Sequence, residues 1–299
     1  MASKASKGPT AGATADPTTG VTADPTAGAT TGKDSGKDGS DGSAPRSGSG
    51  DIQRTLELLW DTGHRPSRGP KPALTLDRIV DAATRIADAE GLDAVSMRRL
   101  STELGTGTMS LYRYIPGKAE LLDLMLDRVQ APAEEPEAFD AGWREALEIR
   151  AREILALYER HPWLLQVNQA RPVLGPGSMS GLEKMIGRIR PMGLTDPEML
   201  SVILLVDGYV TGVARTHVHE VEAEQRTGLT DAEFWLAQEP HLAKVMTSGR
   251  YPHMATLSED TFGPDFDHFT FGLERILDGL ELMVAGRMTD GSSRASMDS

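Results

Sequence analysis

Residues 74–129 read LTLDRIVDAATRIADAEGLDAVSMRRLSTELGTGTMSLYRYIPGKAELLDLMLDRV. Leu76, Ile79, Val80, Ala83, Ile86 and Ala87 recur every three or four positions, which makes one apolar stripe along a helix. Thr75 is its N-cap and Gly91 its stop. Ser96 caps a second helix that runs through Leu100 and Leu104. Gly105-Thr106-Gly107 is a tight turn, and Thr108 to Tyr114 form a short third helix with Leu111 as its inward anchor. Ile115-Pro116-Gly117 ends that helix, because proline cannot continue it and disfavours helical geometry in the residue before it. Lys118–Val129 make a fourth helix.

Two helices joined by a short turn, the second one small and polar at its front, suit a DNA major groove about 12 Å wide. The supporting helix offers Ser96, Arg98 and Arg99 in its first turn. Consecutive arginines sit about 100° apart on a helix, so at most one of them faces DNA. The turn and third helix offer Thr106, Gly107, Thr108, Met109, Ser110, Tyr112, Arg113 and Tyr114. A glycine lets the backbone approach DNA closely, and a tyrosine hydroxyl donates to phosphate. Lys118 opens the fourth helix, where free backbone N–H groups also favour an anion. These residues are the candidate DNA contacts.

GLDAVSMRRLSTELG followed by TMSLYRYIPGKAELLDLM resembles the N-terminal domain of the TetR family of one-component transcriptional regulators. The likeness is specific over residues 74–129 and thins beyond them to an acidic, all-helical character. It implies an all-α protein: a three-helix DNA-binding head followed by a larger helical domain for effector binding and dimerisation. It implies that Arg98 reads base edges, that Thr108, Met109 and Ser110 form the base-reading front, and that Tyr112, Tyr114 and Lys118 clamp the backbone. Gly107 and Met109 stand where polar groups often read bases, which points to apolar or shape-based readout.

The net charge of −13 runs against a DNA partner until it is divided. Residues 1–72 are net +1, residues 73–118 are neutral, and residues 119–299 are net −14. DNA therefore approaches the N-terminal side. Residues 1–50 hold only Met1 and Val21 as sizeable apolar side chains and no aromatic, so a disordered leader is expected there. Residues 51–73 follow as a short helix (Asp51–Trp60) and an extended arm whose Arg65, Arg68 and Lys71 suit an adjacent minor groove, or a solvated linker. The head proper is 74–120, the effector and dimer domain 121–288, and 289–299 a fraying tail. The leader lacks a signal-peptide core, no run approaches 18 consecutive apolar residues, and cysteine is absent; a cytoplasmic protein without membrane partners is expected.

Beyond the head, helical periodicity is expected over Asp140–Arg160, Met179–Arg190, Asp196–Glu224, Thr230–Leu236 and Pro264–Arg287, with a turn at Pro162–Asn168. Gly208 and Gly212 are four apart; Gly272 and Gly279 are seven apart beside Phe269, Leu273, Ile276, Leu280 and Met283. Each mid-helix glycine costs about 1 kcal/mol against alanine, a cost that close helix–helix approach in a homodimer offsets. Packing within one chain is the plainer alternative. Trp143, Tyr158, Trp163, Met185, Met199, Phe234 and Trp235 are candidates for an effector pocket, or simply core. His217 and His219, each with a glutamate three residues on, suit a metal site less well than a solvated helix end, so no metal or cofactor is expected. No nucleophile elbow, phosphate loop or His-Glu-x-x-His motif occurs, which argues against an enzyme. The function expected is a ligand-responsive repressor that leaves a palindromic operator when a small molecule binds. The rivals are a helical small-molecule or protein-binding module whose head no longer reads DNA, and a cofactor-free enzyme.

Overall fold

A computed structural model describes residues 44–60, 74–132, 142–258, 261 and 266–297, with side chains through 287. The basic arm with Arg65, Arg68 and Lys71 lies outside them, as does the leader before residue 44. The described chain is helical, and its one β-bridge is an isolated pairing of Arg46 with Asn168.

α1 (Ile52–Trp60) precedes the head, which is built from α2 (Leu76–Glu90), α3 (Met97–Glu103) and α4 (Thr108–Leu111). The Thr75 hydroxyl accepts from the Arg78 N–H at 3.2 Å. Gly91, at φ 86°, closes α2 by donating its N–H to Ala87 O; that left-handed geometry favours glycine. The Ser96 hydroxyl accepts from the Arg99 N–H at 3.1 Å to start α3. Ile79, Ile86, Leu92, Leu100, Leu111 and Ile115 fill the space between these helices and α5 (Lys118–Gln130). Burying side chains of this size contributes about 1.5–3 kcal/mol each.

α6 (Trp143–Arg160), α7 (Pro176–Ile189), α8 (Asp196–Thr227) and α10 (His268–Met297) surround a second core of Leu147, Ile189, Val206, Val210, Leu273 and Leu277. The two cores are joined at a turn of 3-10 helix, Pro162–Gln166, that follows α6 and sends Trp163 and Leu164 back into the head's core. Asp88 on α2 accepts from the Trp163 indole N–H at 2.8 Å and lies 2.7 Å from His161 Nδ1.

α8 is long, and its apolar stretch, at mean hydropathy 1.3, is long enough to cross a membrane by length and composition. Its inner face, Met199, Val202, Ile203, Val206 and Val210, belongs to the second core, while Leu200, Leu204 and Leu205 are exposed on the other side. α9 (Asp231–Met246) continues through Pro240 beyond the expected end at Leu236. α10 runs to Met297, past the Ser- and Gly-rich start of the expected tail. Extending a helix already nucleated costs far less than starting one, so weak helix formers are carried along.

The start of α8 is tied to α10 by one carboxylate. Glu198 accepts from the Thr195 N–H at 2.8 Å and hydroxyl at 2.7 Å, and pairs with Arg287. The Arg287 guanidinium first, and the two Thr195 donors second, hold its carboxyl down at about 2. A depressed carboxylate contributes its stability fully above its ordinary value of 4.5 and loses it as pH falls toward about 2. Glu198→Gln should therefore lower the melting temperature at pH 7, and the gap between variant and native protein should close on acidification through that window. A gap independent of pH would exclude the charge as its cause.

Candidate nucleic-acid interface

The head presents α4 as a rod of one turn whose inner side is Leu111, fully buried, and whose front is Met109, 77 % exposed. The backbone carries on beyond Leu111 through a Tyr112 N–H to Thr108 O bond and an Ile115 N–H to Leu111 O bond. Ile115, buried, seats the turn, so Tyr112 and Arg113 remain outside, Tyr112 with 47 % of its surface free. Gly107 is exposed at the front, and Thr108 and Ser110 are half-buried. The Thr108 hydroxyl donates to Ser101 Oγ at 3.2 Å, which fixes α4 against α3, and Arg113 donates to Ser110 Oγ at 3.2 Å.

The two arginines of α3 divide as helix geometry requires. Arg99 is held by Glu90 at 2.6 Å and by Glu103 at 2.9 Å, and these carboxylates raise its pKa further. Arg98 is exposed. Ser96 spends its hydroxyl on the helix cap. Tyr114 is half-buried and donates to Leu74 O at 3.0 Å, and Lys118 Nζ donates to Leu92 O at 3.3 Å. Two of the three candidate clamps thus have work inside the head, a use that sequence spacing cannot reveal. Leu74, the first described residue after the arm, shares a cleft of about 350 Å³ with Thr106, Ser110, Arg113 and Tyr114.

The candidate pocket residues do not converge. Trp143 is half-buried against the second core, Met199 is inside it, and Trp163 is inside the first. Tyr158 Oη lies 3.1 Å from Thr211 Oγ1. Phe234 and Trp235 stand exposed on α9, edge to face at 5.6 Å. Met185 lines a cavity of about 340 Å³ between the end of α5 (Val129, Gln130) with the two residues after it, α6 (Arg150, Ile154, Leu157) and α7. Arg150, which the sequence did not single out, pairs there with Asp207 at 2.6 Å.

The glycines of α8 and α10 also divide. Gly208, Gly212 and Gly279 are exposed with open space where a Cβ would point, whereas a Cβ on Gly272 would overlap the Tyr209 ring of the same chain. Leu273 and Leu280 are buried in the chain's own second core, and Phe269, Ile276 and Met283 pack half-buried on it. The outward side of the same two helices holds Leu204, Leu205, Phe271 and Leu282, the last 76 % exposed. Apolar periodicity marks both sides of such a helix and cannot say which faces inward. His217 and His219 sit on the exposed end of α8, and among the described residues no three metal-ligating side chains converge.

Comparison with known proteins agrees with this geometry. Residues 79–125 match the family described as bacterial regulatory proteins, tetR family, and residues 135–284 match the tetracyclin repressor-like C-terminal domain. The HTH-type transcriptional repressor DrrR1 of Streptomyces coeruleorubidus is 71 % identical over 255 residues, 85 % of this chain and 94 % of that protein. An HTH-type transcriptional regulator of Saccharopolyspora erythraea is 31 % identical over 58 % of this chain and 74 % of its own length. Among solved structures, the TetR family protein ActR of Streptomyces coelicolor in complex with actinorhodin superposes with a TM-score of 0.56 at 33 % identity, covering 72 % of this chain and 99 % of that one. With a reading head in register, a helical domain behind it and both family regions matched, the chain belongs to the tetR family of bacterial regulatory proteins.

Proposed function

We propose that this protein is a repressor that binds a palindromic operator as a homodimer and leaves it when a small molecule enters the helical domain. The observation that carries this reading is the span of α5: its first turns lie in the head's core, and its last residues line the 340 Å³ cavity. Cavities of about 300–1,000 Å³ suit small ligands. A ligand that spreads α6 and α7 there displaces the end of α5 and, with it, the head. Operator and effector then oppose each other reciprocally.

On this reading Arg98, Met109, Tyr112 and Arg113 face DNA, with Gly107, Thr108 and Ser110 close behind. Arg65, Arg68 and Lys71 extend the contact from the arm. The partner subunit packs on the outward face of α8 and α10, on Leu204, Gly208, Gly212, Gly279 and Leu282, and places two heads about 34–36 Å apart. The regulatory role of its relatives supports a non-enzymatic protein. ActR's complex with actinorhodin supports a bound organic effector.

The test is binding to duplex DNA from upstream of the protein's own gene, titrated with salt. Specific binding whose logarithm falls linearly with the logarithm of salt is expected. No preference for any duplex at low salt would overturn the reading. Gly279→Leu, which fills open space on the outward face, should convert dimer to monomer in sedimentation and weaken operator binding at least about tenfold, since one head alone buries too little surface for specificity. A dimeric, fully binding variant would remove this face from the interface.

A further inference from the structure

Residues 44–60 precede both matched regions, yet they are bonded to the helix that leaves the head. α5 carries three buried acids, Glu120, Asp123 and Asp127, spaced so that they share one side of the helix. A buried carboxylate persists only when hydrogen bonds replace its water. Each of the three is satisfied from outside α5. The Asp51 N–H donates to Glu120 Oε1 at 2.9 Å. The Ser47 hydroxyl donates to Asp123 Oδ1 at 2.6 Å, and the Gly48 N–H reaches both Asp123 oxygens at 3.0 and 3.2 Å. The N–H groups of Gly177 and Ser178 and the Ser178 hydroxyl donate to Asp127 at 3.0, 2.8 and 2.9 Å.

The approach is closest at Gly177, where a Cβ would meet the backbone oxygen of Asp127. A Cβ at position 50 would overlap the Glu120 carboxylate, and one at 175 or 177 would overlap Asp127. The far side of 44–60 is bonded to the stretch that leads into α7. Asn168 N–H donates to Pro45 O at 2.8 Å and Ser47 N–H to Asn168 O at 3.1 Å. The Val173 N–H donates to Ser47 Oγ at 3.2 Å, and the Trp60 indole donates to Leu174 O at 3.1 Å. Thr55 and Leu59 are buried, Leu59 within the first core. Ser47 Oγ is the atom that serves both sides, donating to α5 and accepting from residue 173.

We propose that residues 44–60 are an internal strut that positions α5 against the 168–178 stretch, with Ser47 and Asp123 as its positioning residues. This rests on the reading that α5 places the two heads for the operator. Burial pushes the Asp123 carboxyl up, and the Ser47 and Gly48 bonds oppose that. Without Ser47 the docked strut holds a less satisfied buried acid, and α5 loses its link to residue 173.

The chain has no cysteine, so Asp93→Cys, at an exposed site on the head, accepts a single spin label per subunit. Amide hydrogen exchange and inter-label distances are measured on full-length protein with Ser47, with Ser47→Ala and with Asp123→Asn. Amides of α5 and of 168–178 should exchange about tenfold faster in both variants while those of α2 stay within about twofold, and the inter-label distribution should broaden. Unchanged exchange in both variants would overturn the strut. Faster exchange with an unaltered distance distribution would reduce the segment to a stabilising patch and overturn its positioning role. No inter-label distance in the protein that keeps Ser47 would overturn the dimer instead, and exchange would still decide the strut.

Discussion

Arg98→Ala should weaken operator binding by roughly one and a half to four orders of magnitude while leaving the melting temperature within a degree or two. Arg98 is exposed on the first turn of α3, and nothing in the fold's core depends on it. One good base-edge contact is worth about 1–3 kcal/mol. On the proposed two-fold operator it is engaged twice, so a single substitution counts twice, at roughly 2–6 kcal/mol. Arg99 is the internal control. Its guanidinium is bound to Glu90 and Glu103, an exposed ion-pair cluster of the kind worth about 0–1 kcal/mol per pair. Arg99→Ala should therefore cost only a few-fold in affinity. Fluorescence anisotropy with the upstream duplex at fixed salt compares the two. No loss for Arg98→Ala would show that Arg98 does not read the operator, and equal losses would show that pairing with Glu90 and Glu103 does not withhold Arg99 from DNA.

Trp163→Ala should destabilise the protein by about 3–5 kcal/mol, the usual cost of deleting a large aromatic from a core. Trp163 is almost wholly buried among the head's residues although it follows α6 in the chain. Its loss leaves a cavity in the head and takes away one of the donors to Asp88. Total stability of a domain is about 5–15 kcal/mol, so such a loss is a large share of it. Chemical denaturation followed by tryptophan-independent circular dichroism measures the change. Trp163→Phe, which keeps most of the apolar volume and removes only the indole donor, should cost about 1–2 kcal/mol. A loss below about 1 kcal/mol for the alanine variant would mean that the 162–166 turn does not pin the head to α6.

The two cases show what local pattern can and cannot carry. The capped helices, the turn and the exposed front of α4 were legible because cap, turn, anchor and breaker all lie within a few residues of one another, and each acts through its own backbone. Ser96 as cap, Gly91 as stop and Leu111 as anchor are found where those rules place them. Trp163 looked equally suited to a ligand pocket or a core, since an aromatic on a helical segment serves either. Only its position among residues from α2 and α5 decides for the core. Leu273 and Leu280 illustrate the same ambiguity on α10, where both faces are apolar. Residues 44–50 show the reverse case: their polar composition predicts disorder, but hydrogen bonds from Ser47 and Gly48 to the buried Asp123 on α5 hold them without a large apolar surface.

The amino-acid order by itself determined the helical class, the reading head and its exposed arginine, because capping, turn formation and 3.6-residue periodicity are short-range effects. Tertiary structure alone decided that Arg99, Tyr114 and Lys118 are engaged inside the head, that 44–60 clasp α5, and that the cavity opens beside the end of α5. Those features join residues tens of positions apart, and the energy of a hydrogen bond or a buried ring depends on a partner that no local pattern names.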